Sequence, residues 1–388
     1  MVGLAIAVAI QESKINQKVT IVEKENEVCI HASGRNSGVI HAGFYYSSES
    51  LKSKFSRLGN IELKNFCRDQ NLPLLEIGKV VVAKNDADVR VLEDLATRAQ
   101  KNSVELQLLD ASKLTHYEPL ARTHEKFLWS PNTAIADPKS IAKALEKKFL
   151  SQGGHIVFGE KLASLKNNNA TFASGNAISF DKCINSAGSG ALDIAHSCGV
   201  AFELGLLPVL GGYVSTPIKK VPLRRLVYST PHPLSPFLGI HFTQTLDNRV
   251  KIGPTALPVI GREQYSFNDG FSVHEARSTL RALGTYAIKD PGHAVSSILQ
   301  QFSQASVRQM VSAASELVPD LPPAKEWARG KAGIRSQLID LKSGEFIQDF
   351  LISESSGVIH ILNAVSPGWT SALPFGRYIV EEYLGKNL

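Results

Sequence analysis

The segment Ser33–Tyr46, SGRNSGVIHAGFYY, brings an imidazole, a guanidinium, an amide and several hydroxyls into one short glycine-broken turn. His41 belongs to the side-chain class that exchanges protons near neutral pH, so it is a candidate acid or base. The alternative is a turn histidine with structural hydrogen bonds only. Gly34, Gly38 and Gly43 lack a Cβ and let backbone approach something flat and large. Arg35, Asn36 and Ser37 supply donors in the same loop, Asn36 and Ser37 chiefly as backbone organisers. A second imidazole, His241, lies in GIHFT. Strand alternation puts Ile240 and Phe242 on one side and His241 with Thr243 on the other. A satisfied structural histidine is the alternative there too. Arg335, in KAGIRSQ, carries a fork that matches both oxygens of a carboxylate; its alternative is a structural ion pair. Tyr45 and Tyr46 are expected to line the entrance of the same site.

These groups need elements to hold them. VTIVEKE, Val19–Glu25, reads as a short buried strand ending in an acid. In a Rossmann-like unit that acid, Glu23, with Lys24 beside it, accepts from ribose hydroxyls; the alternative is a surface acid at a strand end. Val2–Ser13 reads as a buried helix, with Gly3 and Ala5 permitting close packing. Its apolar run is too short to span a bilayer and lacks the pattern of a secretory signal. Leu51–Gln70 and Asp86–Lys101 carry helical periodicity. LPLLEIGKVVVA predicts a strand pair. Asp137-Pro138 is a cap followed by proline at the first helical position, and Gly153-Gly154 stops that helix. HIVFGEKLASLKNNNATFA predicts strands around an Asn-rich hairpin, and KCINSAG a buried strand ending in small residues, Ala187 and Gly188 among them. Phe202–Pro254 and Ile334–Ala364 are strand-rich, with helices at His274–Ile288 and Ser303–Leu317 between them. The loop Ser366-Pro367-Gly368 precedes a last helix, Trp369–Leu384, and offers backbone N–H groups to negative charge.

At 388 residues, with 43% hydrophobic and 20% charged residues, the composition is that of a globular protein with room for two domains. The net charge of +6 suits an anionic lipid surface, an acidic substrate, or simply solvated lysines. Lys and Arg are scattered, which argues against nucleic acid. Cys29, Cys67, Cys183 and Cys198 show neither metal-site nor disulfide spacing, so no metal is expected and buried free thiols are.

On these motifs the chain resembles the FAD-dependent oxidoreductases of the D-amino-acid oxidase superfamily, and most of all their L-2-hydroxyglutarate dehydrogenase/oxidase branch. GRNSGVIHAG, EIGKVVVA (Glu76–Ala83), PFLGIHFT (Pro236–Thr243), VKIGPTA (Val250–Ala256), KAGIRSQLID (Lys331–Asp340) and HILNAVSPGWTSA (His360–Ala372) follow in the family's order over nearly the whole chain. The resemblance implies an α/β protein. A discontinuous Rossmann-like FAD-binding domain (1–72, 138–200 and 330–388) would receive an inserted, mostly antiparallel α+β substrate domain (73–137 and 201–329). It implies that Gly3, Glu23, Lys24, Gly34, Arg35, Asn36, Ser37, Gly38, Ala187, Gly188, Ser366, Pro367 and Gly368 hold FAD. His41 and His241 would be catalytic, and Arg335, Tyr45 and Tyr46 would bind substrate. The implied reaction is oxidation of an L-2-hydroxy acid, foremost L-2-hydroxyglutarate, with oxygen or a membrane quinone as acceptor. The implied location is the cytoplasm, at the inner-membrane surface for a quinone partner, or the mitochondrion in a eukaryote.

Two departures stand out. The family's first strand and the first two glycines of its G-x-G-x-x-G turn have no counterpart ahead of Gly3, and the expectation is a native start further upstream. In LPVLGGYV, Leu210 replaces a basic residue and the position near Gly212 lacks an acid, which alters the expected substrate contacts. The alternatives at this stage are an amine or amino-acid oxidase of the same superfamily, a flavin-free remnant, and, more remotely, a nicotinamide-dependent dehydrogenase.

Overall fold

A computed structural model of the chain describes residues 1–13, 17–231, 239–266, 268–289, 291–292 and 305–385. The first element is the helix Val2–Glu12, whose residues Leu4 to Ile10 are all buried. A helix that is apolar on every side must be covered on every side. Here the helices Ala372–Ile379 and Pro138–Ser151 pack against it. The second of these starts as its sequence predicts: the Asp137 carboxylate accepts from Ser140 N at 2.8 Å.

Parallel strand pairs form the next layer. Thr20–Glu23 pairs with His155–Phe158, and Cys183–Asn185 pairs with Val358–Ile361. They lie in two separate small sheets. The turn after Asn185 and the loop after Ile361 follow the ends of one parallel pair and both line the cavity described below, as parallel α/β units bind ligands beyond their strand ends.

An eight-stranded sheet carries the other half of the site. Its centre runs Arg249–Gly253, His241–Gln244, Leu226–Ser229, Lys79–Val82, Lys126–Ser130. Alternation sorts its side chains cleanly. Val80, Val82, Val227, Phe242, Val250 and Ile252 face one core with Met310 and Leu317. Val81, Leu226 and Tyr228 face the other, with Phe44 and Ile135. His241 stands opposite Tyr228 on that second face, since Val227 is paired with Phe242. A further ladder, Leu204–Gly211 against Gly333–Asp340, sets Arg335 opposite Val209.

Four local expectations change. Leu74–Leu75 and Lys79–Val82 are not partners: the first joins Ala134–Ala136 and the second joins the eight-stranded sheet. Gly78, at φ 68°, turns the chain between them, and a side chain there would collide with Trp129. The turn Ser33–Gly43 contains a two-residue strand, Val39–Ile40, paired with Ile135 and Ala134. The last helix begins at Ala372 rather than Trp369, and Val380–Leu384 continues it as a π turn. The helix expected from Ser303 is Val307–Ala314, closed by a Ser306/Gln309 capping box. Ser303 itself, and Pro236–Leu238 of the predicted strand, lie outside the described residues.

Candidate active site

A cavity of about 330 Å³ opens where the glycine-rich loops meet the second face of the large sheet. The Ala32–Ser37 loop, the Ser186–Ser189 turn and the Ala364–Thr370 loop form one part of its lining. His41, Val209, Tyr213, Tyr228, His241 and Arg335 form another. Among the described residues no Asp or Glu lines it, whereas Arg35 and Arg335 do, so its field favours anions.

His41 and His241 both line this cavity. His241 Nδ1 lies 2.9 Å from the Gly239 carbonyl, which makes that nitrogen the donor in the neutral ring and leaves Nε2 as an acceptor. Burial pushes His241 down to about 4; the Gly239 bond opposes this and the Lys79 charge adds to it. His41 is lowered to about 3 by burial, then by Lys79 and His241. Both rings are therefore neutral at physiological pH.

Arg335 is clamped rather than loose: its Nε and Nη2 both donate to Gln337 Oε1, at 3.1 and 2.9 Å. Tyr46 lies beside Arg335 and Ser366, with its hydroxyl pushed up to about 12 by burial. Neither Tyr45 nor Tyr46 stands at an entrance. The Tyr45 hydroxyl is buried and accepts from Lys79 Nζ at 3.3 Å. Tyr45 is half-buried against the core beside Phe44, Tyr46 is half-buried too, and neither is on the cavity lining.

The loop residues behave as their chemistry suggests. Asn36 Nδ2 donates to Ser33 O at 2.7 Å and Asn36 Oδ1 accepts from Gly38 N at 2.8 Å, so Asn36 organises the turn. Arg35 donates to Ile30 O and Ala332 O and lies 3.8 Å over the Tyr265 ring. A side chain at Gly34 would run into the Cys29 carbonyl, and one at Gly333 into the Arg35 carbonyl. Gly3 faces Ser186. Glu23 and Lys24 lie outside the cavity lining. Glu23 accepts from Glu25 N, and Lys24 is held by Glu25 and Glu263. That ion network, shared with His31, ties Lys24 down instead of presenting it to the cavity. Leu210 packs with Leu257, Val259 and Ile334, away from the cavity.

Sequence reasoning missed three groups around the cavity. Lys79 and Lys52 are buried amines, each lowered to about 7 chiefly by burial. Lys52 is close enough to Arg335 for the two charges to repel. Tyr228 stacks on His241 with centroids 3.9 Å apart. The available signal for Lys79 was a lone lysine inside the apolar run EIGKVVVA.

A flat, acceptor-rich dinucleotide fits this lining. Gly188, at φ 58°, has open space where its side chain would be. Trp369, also on the lining, has its indole N–H buried without an acceptor among the described residues. Small residues and backbone donors on one side, with neutral imidazoles and a guanidinium on the other, define a cofactor-dependent oxidoreductase site.

The comparisons make the class specific. The model of the FAD dependent oxidoreductase family, DAO, matches residues 1–382. The chain belongs to that family. It is 33% identical to the L-2-hydroxyglutarate dehydrogenase of Indibacter alkaliphilus, over 98% of this chain and 96% of that protein. It is 31% identical to the mitochondrial L-2-hydroxyglutarate dehydrogenase of Caenorhabditis elegans, over 100% of this chain and 92% of that one. Its fold matches the FAD-bound L-alpha-glycerophosphate oxidase of Mycoplasma pneumoniae with a TM-score of 0.75 at 21% identity, over 98% and 91% of the two chains.

Proposed function

We propose that this chain oxidises L-2-hydroxyglutarate to 2-oxoglutarate with FAD. The observation that carries the reading is a cavity, with no acid among its described lining residues, in which Arg335 and two neutral histidines converge. The names of the relatives at about a third identity supply the particular hydroxy acid and favour it over an amine or amino acid.

Arg335 takes the carboxylate next to the reacting carbon, because its planar fork offers two parallel donors. Lys52 behind it adds positive charge for a dianion. His241 accepts the hydroxyl proton at Nε2, while Gly239 holds the tautomer through Nδ1. Bound carboxylates raise the basicity of a buried imidazole, which brings His241 from about 4 toward the working pH when substrate arrives. His41 polarises the same region from the neighbouring strand end. The Ala32–Gly38 loop, Ala187 and Gly188, and Ser366–Gly368 would hold FAD, with Glu23 on its ribose and Gly3 near the phosphates. FAD, when bound, supplies the two-electron acceptor. The division into a cofactor half (1–72, 138–200 and 330–388) and a substrate half (73–137 and 201–329) is supported by the sheet grouping. The Leu204–Gly211 and Gly333–Asp340 ladder is then the seam. Electrons pass on to oxygen or a membrane quinone, and no described helix is long and apolar enough to cross a membrane.

The test is spectral. Protein purified yellow should bleach without oxygen on adding L-2-hydroxyglutarate, and not with the D enantiomer, glycine or L-proline. Bleaching by an amino acid alone would overturn the substrate assignment. Peroxide formation in air separates oxygen from a quinone as acceptor.

A further inference from the structure

Lys79 poses a physical question that the reaction above leaves open. Its side chain is fully buried. Its ammonium lies 4.6 Å from the ring centre of Phe44 and 4.5 Å from those of Tyr45 and Tyr228. It makes one hydrogen bond, 3.3 Å to the Tyr45 hydroxyl. Among the described residues no carboxylate pairs with it, and burial alone sets its acidity. A buried cation without a counter-ion is expensive, and Met or Leu would pack in its place. The aromatic cage explains how the charge is tolerated. It does not explain why a lysine is there.

The explanation lies beyond Tyr228. That ring contacts Lys79, and it also stacks on the imidazole of His241 at 3.9 Å and 22°. Lys79 and Tyr228 reach each other because their strands run side by side, with Lys79 paired to Leu226 and Val81 to Tyr228. His41 is close enough to feel the same charge. The groups acting on the two rings are few: Lys79 and His241 on His41, and Tyr228, Lys79 and the Gly239 carbonyl on His241. The other charged side chains lining the cavity, Arg35 and Arg335, are cations too.

We propose that Lys79 is a positioning residue of the reaction: a caged charge behind Tyr228 that adds to burial in holding down the basicity of His241, on which Tyr228 stacks, until an anionic substrate enters. The imidazole then meets the substrate able to accept. With FAD bound to take the carbinol's C–H hydrogen and its electron pair, the hydroxyl O–H bond would break and an N–H bond would form on the ring. The dianion's charge offsets that of Lys79 in the complex, so the base strengthens only when substrate is bound. The reaction named here rests on the proposed function. The field of Lys79 on the histidines does not, and is measured without substrate.

The experiment uses holoenzyme carrying 13Cε1-labelled histidine, with the His41 and His241 signals assigned through H41N and H241N. Lys79→Met keeps length and removes charge. It should raise the titration midpoints of both histidines by about one pH unit or more. The acid limb of kcat/KM should move up with them, and Lys79→Arg should restore the low values. Unchanged midpoints in Lys79→Met overturn the proposal and leave Lys79 a packing residue. Should Lys79→Met lose flavin or fold, the wild-type protein still decides. Lys79 itself loses its charge at about 7, so both histidine signals should show a step there. Signals flat through that range overturn the proposal equally.

Discussion

Arg335→Met offers the sharpest test of substrate recognition. The guanidinium is half-buried, lines the cavity and is oriented by two bonds to Gln337 Oε1. Removing it leaves a substrate carboxylate desolvated and unpaired. Truncating one member of a buried, hydrogen-bonded charge pair costs about 2–5 kcal/mol. At about 1.4 kcal/mol per factor of ten, kcat/KM should fall roughly 30-fold to a few thousand-fold. The fold should survive, because Gln337 Nε2 keeps its bonds to Leu338 O and Ile347 O. Flavin content and melting temperature check that. Arg335→Lys keeps the charge but loses the fork, so it should fall between the two proteins. Steady-state rates with L-2-hydroxyglutarate, beside a monocarboxylic 2-hydroxy acid, are the assay. A loss under about fivefold in well-folded, flavin-loaded Arg335→Met would refute the carboxylate role.

The remaining predictions concern pH, the loop and a cap. His41 and His241 are held down to about 3 and 4, below the unfolded value, so the unfolded chain binds their protons first. Stability should be full above about pH 6.5 and fall by about 2 kcal/mol per histidine on going to pH 5, as thermal melts across that window would show. His241→Asn should flatten this slope. Gly34→Ala forces a side chain against the Cys29 carbonyl. It should cost about 1–3 kcal/mol and lower flavin content, read by the absorbance ratio of the purified protein. Asp137→Ala removes the acceptor for Ser140 N and should cost about 1 kcal/mol, with kcat unchanged.

Much of the frame could be read from residue patterns, and the reasons are local. The Asp137 cap, the Asp86–Lys101 periodicity and the alternation around His241 each depend on near neighbours, and each appears where expected. What the pattern hid depends on distant partners. Lys24 looked like a cofactor contact because it follows Glu23, but Glu263, far along the chain, claims its ammonium. Tyr45, expected at the entrance of the site, accepts from Lys79, which lies 34 residues further along the chain. Lys79 drew no notice in the strand pattern; only the folded sheet puts Tyr228 beside it, and His241 beyond that ring. The strand pair expected at Leu74–Val82 failed for the same kind of reason, since Trp129 decides where Gly78 must turn.

The contact between Gly333 and the Arg35 carbonyl has a consequence for how two ligands share one cavity. Arg335 stands two residues from that contact, and Arg35 belongs to the loop proposed to hold FAD. Backbone touching backbone makes a ruler with no rotatable joint. The spacing between the cofactor surface and the anchored carboxylate is then set when the chain folds, not when substrate binds. A loop that shifts for want of cofactor carries the anchor with it. The two binding equilibria should therefore be coupled, and substrate analogues should bind the flavin-stripped protein more weakly than the loaded one.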